Sequence, residues 1–258
     1  MPQSAKISFF PCDNGDSVLM ESDGTIIMTD INYRQSAQDD SEDEIQDFSP
    51  EIRNSCAEDR LNLFVLTHPD EDHCRGIDEI FHMGKPENWI QDPAEGDPKI
   101  LIAEIWCSPY AANLKNSDIK DDAKPMIREI HRRKKLSSVV AGNKDGNRLV
   151  IMDTENSQSD EIGPFSWRLI APTPEELDLA NSEDQNPSSL GIVWTVKVNG
   201  YNSKESTPRG GGFGLTPRRG WFALPPKEAR ELSRYLSLND VYLFLLVFFP
   251  CLPGALHT

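Results

Sequence analysis

The stretch that decides the fold is LNLFVLTHPDEDHCRGIDEIF, residues Leu61 to Phe81. It opens with an uninterrupted apolar run, Leu63 to Leu66, which predicts a strand buried on both faces. After Gly76, apolar residues at helical spacing predict an amphipathic helix; they are Ile77, Ile80 and Phe81. The polar residues between these two elements therefore occupy a loop at the end of a buried strand. Such loops carry the sites of α/β proteins, because a rigid sheet holds them in place.

This loop contains four candidate metal ligands within six residues, His68, Asp70, Asp72 and His73. Alternate side chains of an extended backbone leave on the same side, so the first three are expected to point together and His73 elsewhere. That arrangement suits two cations a few ångströms apart better than one closed cage. The alternative is a solvated acidic turn with no special function. Two histidines and two aspartates directly after a buried strand favour the metal site.

The motif also resembles that of a known family. HPDEDH is similar to the HxHxDH signature of the metallo-β-lactamase superfamily, with Asp70 in the place of the second histidine. The longer stretch LTHPDEDHCRGI most resembles the branch that contains the metallohydrolase domain of bacterial competence (DNA-uptake) proteins. Carboxylate-rich versions of the motif are common in that branch.

Two neighbouring segments extend the resemblance. Asp16 and Asp30 match acidic residues that, in the family, mostly brace the loops beneath the metal site. The resemblance therefore implies structural roles for both, with the alternative that Asp30 is a hydrogen-bond partner of a histidine ligand. Further along, Asn186 and Ser189 match an Asn-x-x-Ser element that opens a later strand.

The resemblance implies an α/β fold, the four-layer αββα sandwich of the superfamily, over residues 1–202, with an incomplete C-terminal half. It implies one or two divalent metal ions, zinc or manganese, with His68 and Asp70 on one and Asp72 and His73 on the other. Asp72 is also assigned a catalytic role. The implied activity is hydrolysis of phosphodiesters, in nucleic acids or nucleotides, by a water that the metal activates. An aspartate at position 70 favours manganese more than an all-histidine site would.

The sequence also departs from the family pattern. The third histidine ligand and the metal-bridging aspartate of the family have no clear counterpart here. Catalytic metal sites usually have about three protein ligands, and a site with two binds loosely. The alternative function is therefore a binding module, a degenerate or truncated member that keeps the fold without turnover.

Residues 203–258 form a tail of different composition. They carry seven Lys and Arg against four Asp and Glu, in a chain whose net charge is −16. The apolar run Val241 to Phe249 is about half the ~20 residues that cross a bilayer. It is interpreted as a core strand, a weak membrane contact or the product of a shifted reading frame. In the last case the tail would leave a sheet edge unpaired.

Composition limits the partners. The net charge of −16 argues against stable binding to nucleic acid or anionic membranes, although bound cations can still attract a phosphoester substrate. Five scattered cysteines predict reduced thiols, and the N-terminal residues lack a signal-peptide pattern, so a cytoplasmic location is expected with no membrane span. Local patterns predict further elements. They are a tight hairpin at Ser22-Asp23-Gly24, an acidic solvated loop over residues 31–48, a short helix over Pro50–Arg60, a variable loop after the strand that ends at Ala171, and a helix over Pro226 to Leu238. Another predicted helix, Asp121 to Leu136, ends in HRRKK. We interpret this cluster as a solvated complement to the helix dipole in preference to a nucleic-acid contact.

Overall fold

The structure is a computed structural model that describes residues 5–10, 17–34, 47–90, 92, 94, 98–157, 159–181, 184–197 and 242–247. The chain is mixed α/β. Its strands are β1 (Lys6–Phe9), β2 (Val18–Ser22), β3 (Thr25–Thr29), β4 (Ile31–Asn32), β5 (Arg60–Val65), β6 (Cys74–Arg75), β7 (Phe81–His82), β8 (Ile100–Cys107), β9 (Arg148–Ile151), β10 (Ser159–Ile162), β11 (Phe165–Ala171), β12 (Gly191–Lys197) and β13 (Tyr242–Val247). The α-helices are α1 (Ser49–Ser55), α2 (Ile77–Ile80), α3 (Pro109–Asn113), α4 (Lys124–Lys134) and α5 (Pro174–Leu179).

The larger sheet has seven strands in the order β1-β2-β3-β5-β8-β7, with β9 also paired to β8. Its first three strands are antiparallel, and β3, β5, β7, β8 and β9 run parallel. Asp23 and Gly24 both have positive φ, as a two-residue turn between β2 and β3 requires. The hairpin predicted there is confirmed. The carboxyl ends of β3, β5 and β8 lie side by side at one edge of this sheet.

The smaller sheet is antiparallel, in the order β10-β11-β12-β13, and packs against one face of the larger. Trp106 of β8 and Trp194 of β12 stack across the interface, with ring centroids 5.7 Å apart. The opposite face of the larger sheet is covered by helices α1 to α4 through a second cluster of buried side chains. The buried strand predicted at Leu63 to Leu66 lies between these two layers, with each of its side chains at most 1% exposed.

Several predicted boundaries are wrong for local reasons. The helix after Gly76 lasts only from Ile77 to Ile80, because the backbone of Phe81 pairs with Ile100 as part of β7. The helix predicted over Pro50–Arg60 ends at Ser55, since β5 already begins at Arg60. The loop predicted after β11 contains α5, which a Thr173–Glu176 capping box starts.

The tail contributes a strand. Residues Tyr242 to Val247 pair antiparallel with β12, in register from Ile192 to Lys197. The interpretation of this run as a strand that pairs with the sheet is therefore confirmed for these six residues, and the unpaired edge expected for a shifted reading frame is not found at β12. The predicted acidic loop lies mostly at residues 35–46, outside the described residues, as does the predicted helix Pro226 to Leu238.

The basic end of α4 is less solvated than expected. Arg133 is fully buried, so for this residue the interpretation as a wet surface group is wrong. Its guanidinium donates to Glu129 Oε1 at 2.7 Å, to Ile102 O at 2.9 Å and to Arg148 O at 3.0 Å. Arg132 donates to the same carboxylate at 2.7 and 2.8 Å. The Arg133 guanidinium thus links α4 to backbone carbonyl groups of β8 and β9.

Two further features bear on the predictions. None of the helices in the described ranges combines the length and the hydrophobicity that crossing a bilayer requires. The three cysteines in the same ranges, Cys56, Cys74 and Cys107, are buried free thiols. Cys12 and Cys251 lie outside those ranges.

Candidate metal centre

The ligand-rich loop lies at the carboxyl edge of the larger sheet, where backbone hydrogen bonds hold its entry. Asp30 N donates to Val65 O at 3.0 Å, and Leu66 N donates to Trp106 O at 2.9 Å. On the other side, Leu190 N donates to Thr67 O at 2.9 Å. This bond links the loop to β12, which begins at the residue after Leu190. The ends of β3, β5 and β8 and the start of β12 thus fix the backbone before His68.

The loop does not stay extended. A single 3₁₀ turn forms over Glu71–His73, and His73 N donates to Asp70 O at 3.1 Å. The expectation that His68, Asp70 and Asp72 leave on one side of an extended chain is therefore wrong from Glu71 onward. The turn rotates Asp72 away from Asp70 and brings His73 back over His68.

As a result, the four predicted ligands lie together as two pairs. His68 Nε2 is 3.5 Å from Asp70 Oδ2, and His73 Nε2 is 3.9 Å from Asp72 Oδ1. The two imidazole rings are in contact, with centroids 3.9 Å apart. Both histidines are buried, whereas the two carboxylates are partly exposed at the mouth of the loop.

Asp30 fixes the orientation of His73. Its carboxylate is fully buried, and Oδ2 lies 2.8 Å from His73 Nδ1. The same carboxylate accepts from Thr67 N at 2.8 Å and from Thr67 Oγ1 at 2.5 Å. A carboxylate that accepts Nδ1–H favours the tautomer in which Nε2 carries no proton, the form in which imidazole binds metals. Of the two roles left open by the sequence, bracing and histidine partner, the contacts of Asp30 serve both.

Asp70 has a partner that the sequence did not reveal. Lys120 Nζ lies 3.0 Å from Asp70 Oδ1. Burial alone would raise the pKa of Asp70, but hydrogen bonds from His68 and Lys120 outweigh it and lower that pKa to about 2. Fifty residues separate the two partners, and no local pattern around Lys120 marks it, so only the fold could bring it to light.

A short strap closes the back of the loop. Strand β4, which follows Asp30, pairs in parallel with β6, which follows His73. Gly76 ends the strap with φ +69°, and a Cβ there would lie 2.4 Å from Tyr33 O. The position therefore excludes any side chain. Arg75, the second residue of β6, donates a hydrogen bond from Nε to Asp122 Oδ2 at 2.5 Å.

Cys74 is next to the motif but is not a candidate nucleophile or ligand. Its thiol is fully buried and donates to Asp70 O at 3.2 Å. Burial, with the neighbouring carboxylates Asp30 and Asp70, raises the pKa of this thiol well above its usual value. A thiol held protonated in this way is inert.

The remaining predicted residues lie outside the cluster. Asn186 starts a 3₁₀ turn in which Ser189 Oγ donates to Asn186 O at 2.7 Å. Asn186 itself donates to Asp184 Oδ1 at 3.1 Å, and the backbone of Leu190 links this element to the loop. Asp16 lies outside the described residues.

The donors suit a divalent cation in type, since imidazole nitrogen and carboxylate oxygen are ligands of zinc and manganese. They occur in pairs, however. In the part of the chain that the structure describes, no three His, Cys, Asp or Glu side chains are arranged to hold one metal ion. The described side chains therefore form two His–Asp pairs, each with two potential donors.

Comparison with known proteins adds no family to this description. No protein-family model matches the chain, and no curated protein matches it significantly.

Proposed function

We propose that this chain is a metal-dependent hydrolase of the metallo-β-lactamase type that acts on phosphodiesters. The observation that carries the proposal is the buried Asp30–His73 contact at 2.8 Å beneath two histidines in ring contact. A structural histidine needs no carboxylate to fix its tautomer. A metal ligand does benefit from one, because the carboxylate orients the ring and increases the basicity of the other nitrogen.

Three of the four layers in the αββα assignment have counterparts among the described residues. Helices cover the outer face of the larger sheet, and the smaller sheet packs on its inner face. The candidate site lies at the carboxyl edge of the parallel strands, where α/β proteins place their ligands. This arrangement is what the resemblance in sequence leads us to expect.

Each residue of the cluster has a defined task in this proposal. His68 and Asp70 would hold one cation, and Asp72 and His73 the other. Asp30 keeps the proton of His73 on Nδ1, and Thr67 Oγ1, 3.2 Å from His68 Nδ1, positions the second ring. A divalent cation bound there supplies an acidified water and neutralises the charge that develops on the phosphoryl oxygens. The carboxylates Asp70 and Asp72 favour oxygen-preferring manganese over softer ions.

The test is turnover of bis-p-nitrophenyl phosphate by the full-length chain loaded with Mn²⁺. We expect hydrolysis that a chelator abolishes and that His68→Ala eliminates. His82→Ala is the matched control, since His82 bonds only Lys85 O and lies outside the cluster. Robust turnover of a β-lactam with none of phosphodiesters would transfer the proposal to another branch of the superfamily.

One observation favours a second candidate, a binding module without turnover. Within the described ranges each cation position has two donors, fewer than the three usual in catalytic sites. This alternative predicts that Mn²⁺ binds through the same residues, while phosphodiester hydrolysis stays at the buffer rate in both the native chain and His68→Ala.

A further inference from the structure

The side chain of Lys120 is directed at one of the proposed ligands. Its ammonium lies 3.0 Å from Asp70 Oδ1, and the other carboxylate oxygen, Oδ2, faces His68 Nε2 at 3.5 Å. One oxygen of Asp70 thus contacts the Lys120 ammonium. The other faces His68, the residue with which Asp70 would bind a metal.

The fold holds the backbone of Lys120, whereas its side chain is 47% exposed and reaches Asp70 at the mouth of the loop. The neighbouring Ile119 is buried in the core beneath the helices. Ala123 N donates to Lys120 O at 3.2 Å, and Asp122 accepts from Arg75 of the strap at 2.5 Å. The segment that carries Lys120 is therefore anchored on both sides of the residue, one of the anchors being part of the loop itself.

An ammonium in this place opposes cation binding in two ways. It occupies a carboxylate oxygen that a divalent ion would otherwise use. It also repels any ion within a few ångströms, since a single charge at about 5 Å changes the affinity for a divalent ion about tenfold even in water. Lys120 is in addition attracted to Glu71 and Asp72, so its charge reduces the potential of the whole loop.

We propose that Lys120 belongs to the candidate metal centre and sets its cation affinity, by holding Asp70 Oδ1 until a divalent ion displaces it. The inference rests on the proposed function, because it takes Asp70 as a ligand. It adds a residue that the motif does not contain, and it makes Lys120 a positioning residue for Asp70.

The experiment measures the Kd of Mn²⁺ for the full chain and for Lys120→Met, from the signal of free Mn²⁺ in electron paramagnetic resonance. We expect Lys120→Met to bind about tenfold more tightly. Lys120→Arg keeps the charge and should stay close to the native value. Lys124→Met is the matched control, because it removes the same charge from a lysine that pairs with Asp121 and not with the loop. Circular dichroism checks that each variant is folded.

The outcomes separate the two proposals. Tighter binding by Lys120→Met alone supports the inference, and it does so even if the native chain binds too weakly to measure, a result that would count against the proposed function. Equal affinity of the native chain and Lys120→Met, or an equal gain in Lys124→Met, overturns the inference and leaves the metal centre standing. If none of the chains binds Mn²⁺, both proposals fail.

Discussion

Two clusters of charged side chains differ in how their polar atoms are used. At the end of α4, Glu129, Arg132 and Arg133 are joined by bonds of 2.7 to 2.8 Å, and Arg133 also binds strand carbonyls. In the loop after β5, the bonds of 2.5 to 2.8 Å lie beneath the histidines, at Asp30, whereas their Nε2 atoms face carboxylates at 3.5 and 3.9 Å. Short bonds link all three side chains of the first cluster, whereas in the second they orient His73 through Asp30 and hold Asp70 through Lys120 at 3.0 Å.

The location of the short bonds distinguishes a structural charge cluster from a candidate binding site. Both clusters contain buried charged or titratable side chains, Glu129 and Arg133 in the first and Asp30, His68 and His73 in the second. A structural cluster consumes its donors and acceptors in stabilising contacts, because an unpaired buried charge is costly. In a binding site, the short hydrogen bonds instead orient the ligand side chains from behind, and the atoms that would bind the ligand make longer contacts. Variants of each cluster should therefore affect different measurements.

The largest effect is expected from Arg133→Ala. The change removes one of the two arginines that pair with the buried Glu129 at 2.7 Å, and it removes the donors to Ile102 O and Arg148 O. Breaking a buried ion pair in this way costs about 3–5 kcal/mol. Urea denaturation should show this loss, while the Mn²⁺ affinity of the folded protein stays unchanged.

The control for that variant is Lys135→Ala, an exposed residue one position past the helix, for which a change of about 0.5 kcal/mol or less is expected. A folded Arg133→Ala protein with native stability would show that the cluster at the end of α4 does not have the structural role assigned to it.

A smaller loss is expected from Glu129→Gln, and it should depend on pH. Burial opposes ionisation of Glu129, but the two arginines outweigh it and lower its pKa below the ordinary 4.5. A lowered pKa stabilises the folded chain above pH 4.5, and this contribution disappears as the pH falls through the folded-state value. We expect Glu129→Gln to cost about 2 kcal/mol at pH 7 and less at pH 3.5. A cost that is constant from pH 7 to pH 3.5 would contradict this.

The smallest effect on stability, with a distinct effect on binding, is expected from Asp30→Asn. Asparagine tolerates the positive φ of this position and its amide oxygen can still accept from Thr67. Its amide nitrogen, however, can only donate to His73 Nδ1, which places the ring proton on Nε2. We expect about 1 kcal/mol of lost stability and at least tenfold weaker Mn²⁺ binding, measured by calorimetry.

Asp153→Asn is the matched comparison for this change. Asp153 is a buried carboxylate that accepts from Glu155 N and Asn156 N at 2.9 Å, within its own turn. It should lose a similar amount of stability and keep native Mn²⁺ affinity. Equal affinity losses in both variants would attribute the effect of Asp30→Asn to general destabilisation.

The sequence predicted those parts of the fold that depend on short-range patterns. The apolar run Leu63 to Leu66 is the buried strand, and the Asp23-Gly24 turn lies where its residue types require it. The order of strand and ligand loop predicted that His68 to His73 would lie at the edge of a sheet. The sequence predicted Phe81 in the helix after Gly76, whereas the structure has it in β7. An amphipathic helix and a strand buried against helices both need an apolar residue at this position, so the pattern does not distinguish them.

The contacts that define the site were mostly long-range and beyond such patterns. Asp30 reaches His73 from 43 residues away, and Lys120 reaches Asp70 from 50. The 3₁₀ turn that pairs Asp72 with His73 depends on the strap between β4 and β6, which consists of two residues on each side. Elements this short have no periodicity from which a sequence could predict them.

The most direct test of the metal centre is the metal content of the protein itself. Native chain and the double variant Asp72→Ala/His73→Ala are purified, any affinity tag is removed, and both are measured by elemental analysis after equilibration with Mn²⁺. We expect manganese or zinc bound to the native chain and a much lower metal content in the folded variant. Equal metal content in the two proteins would contradict it.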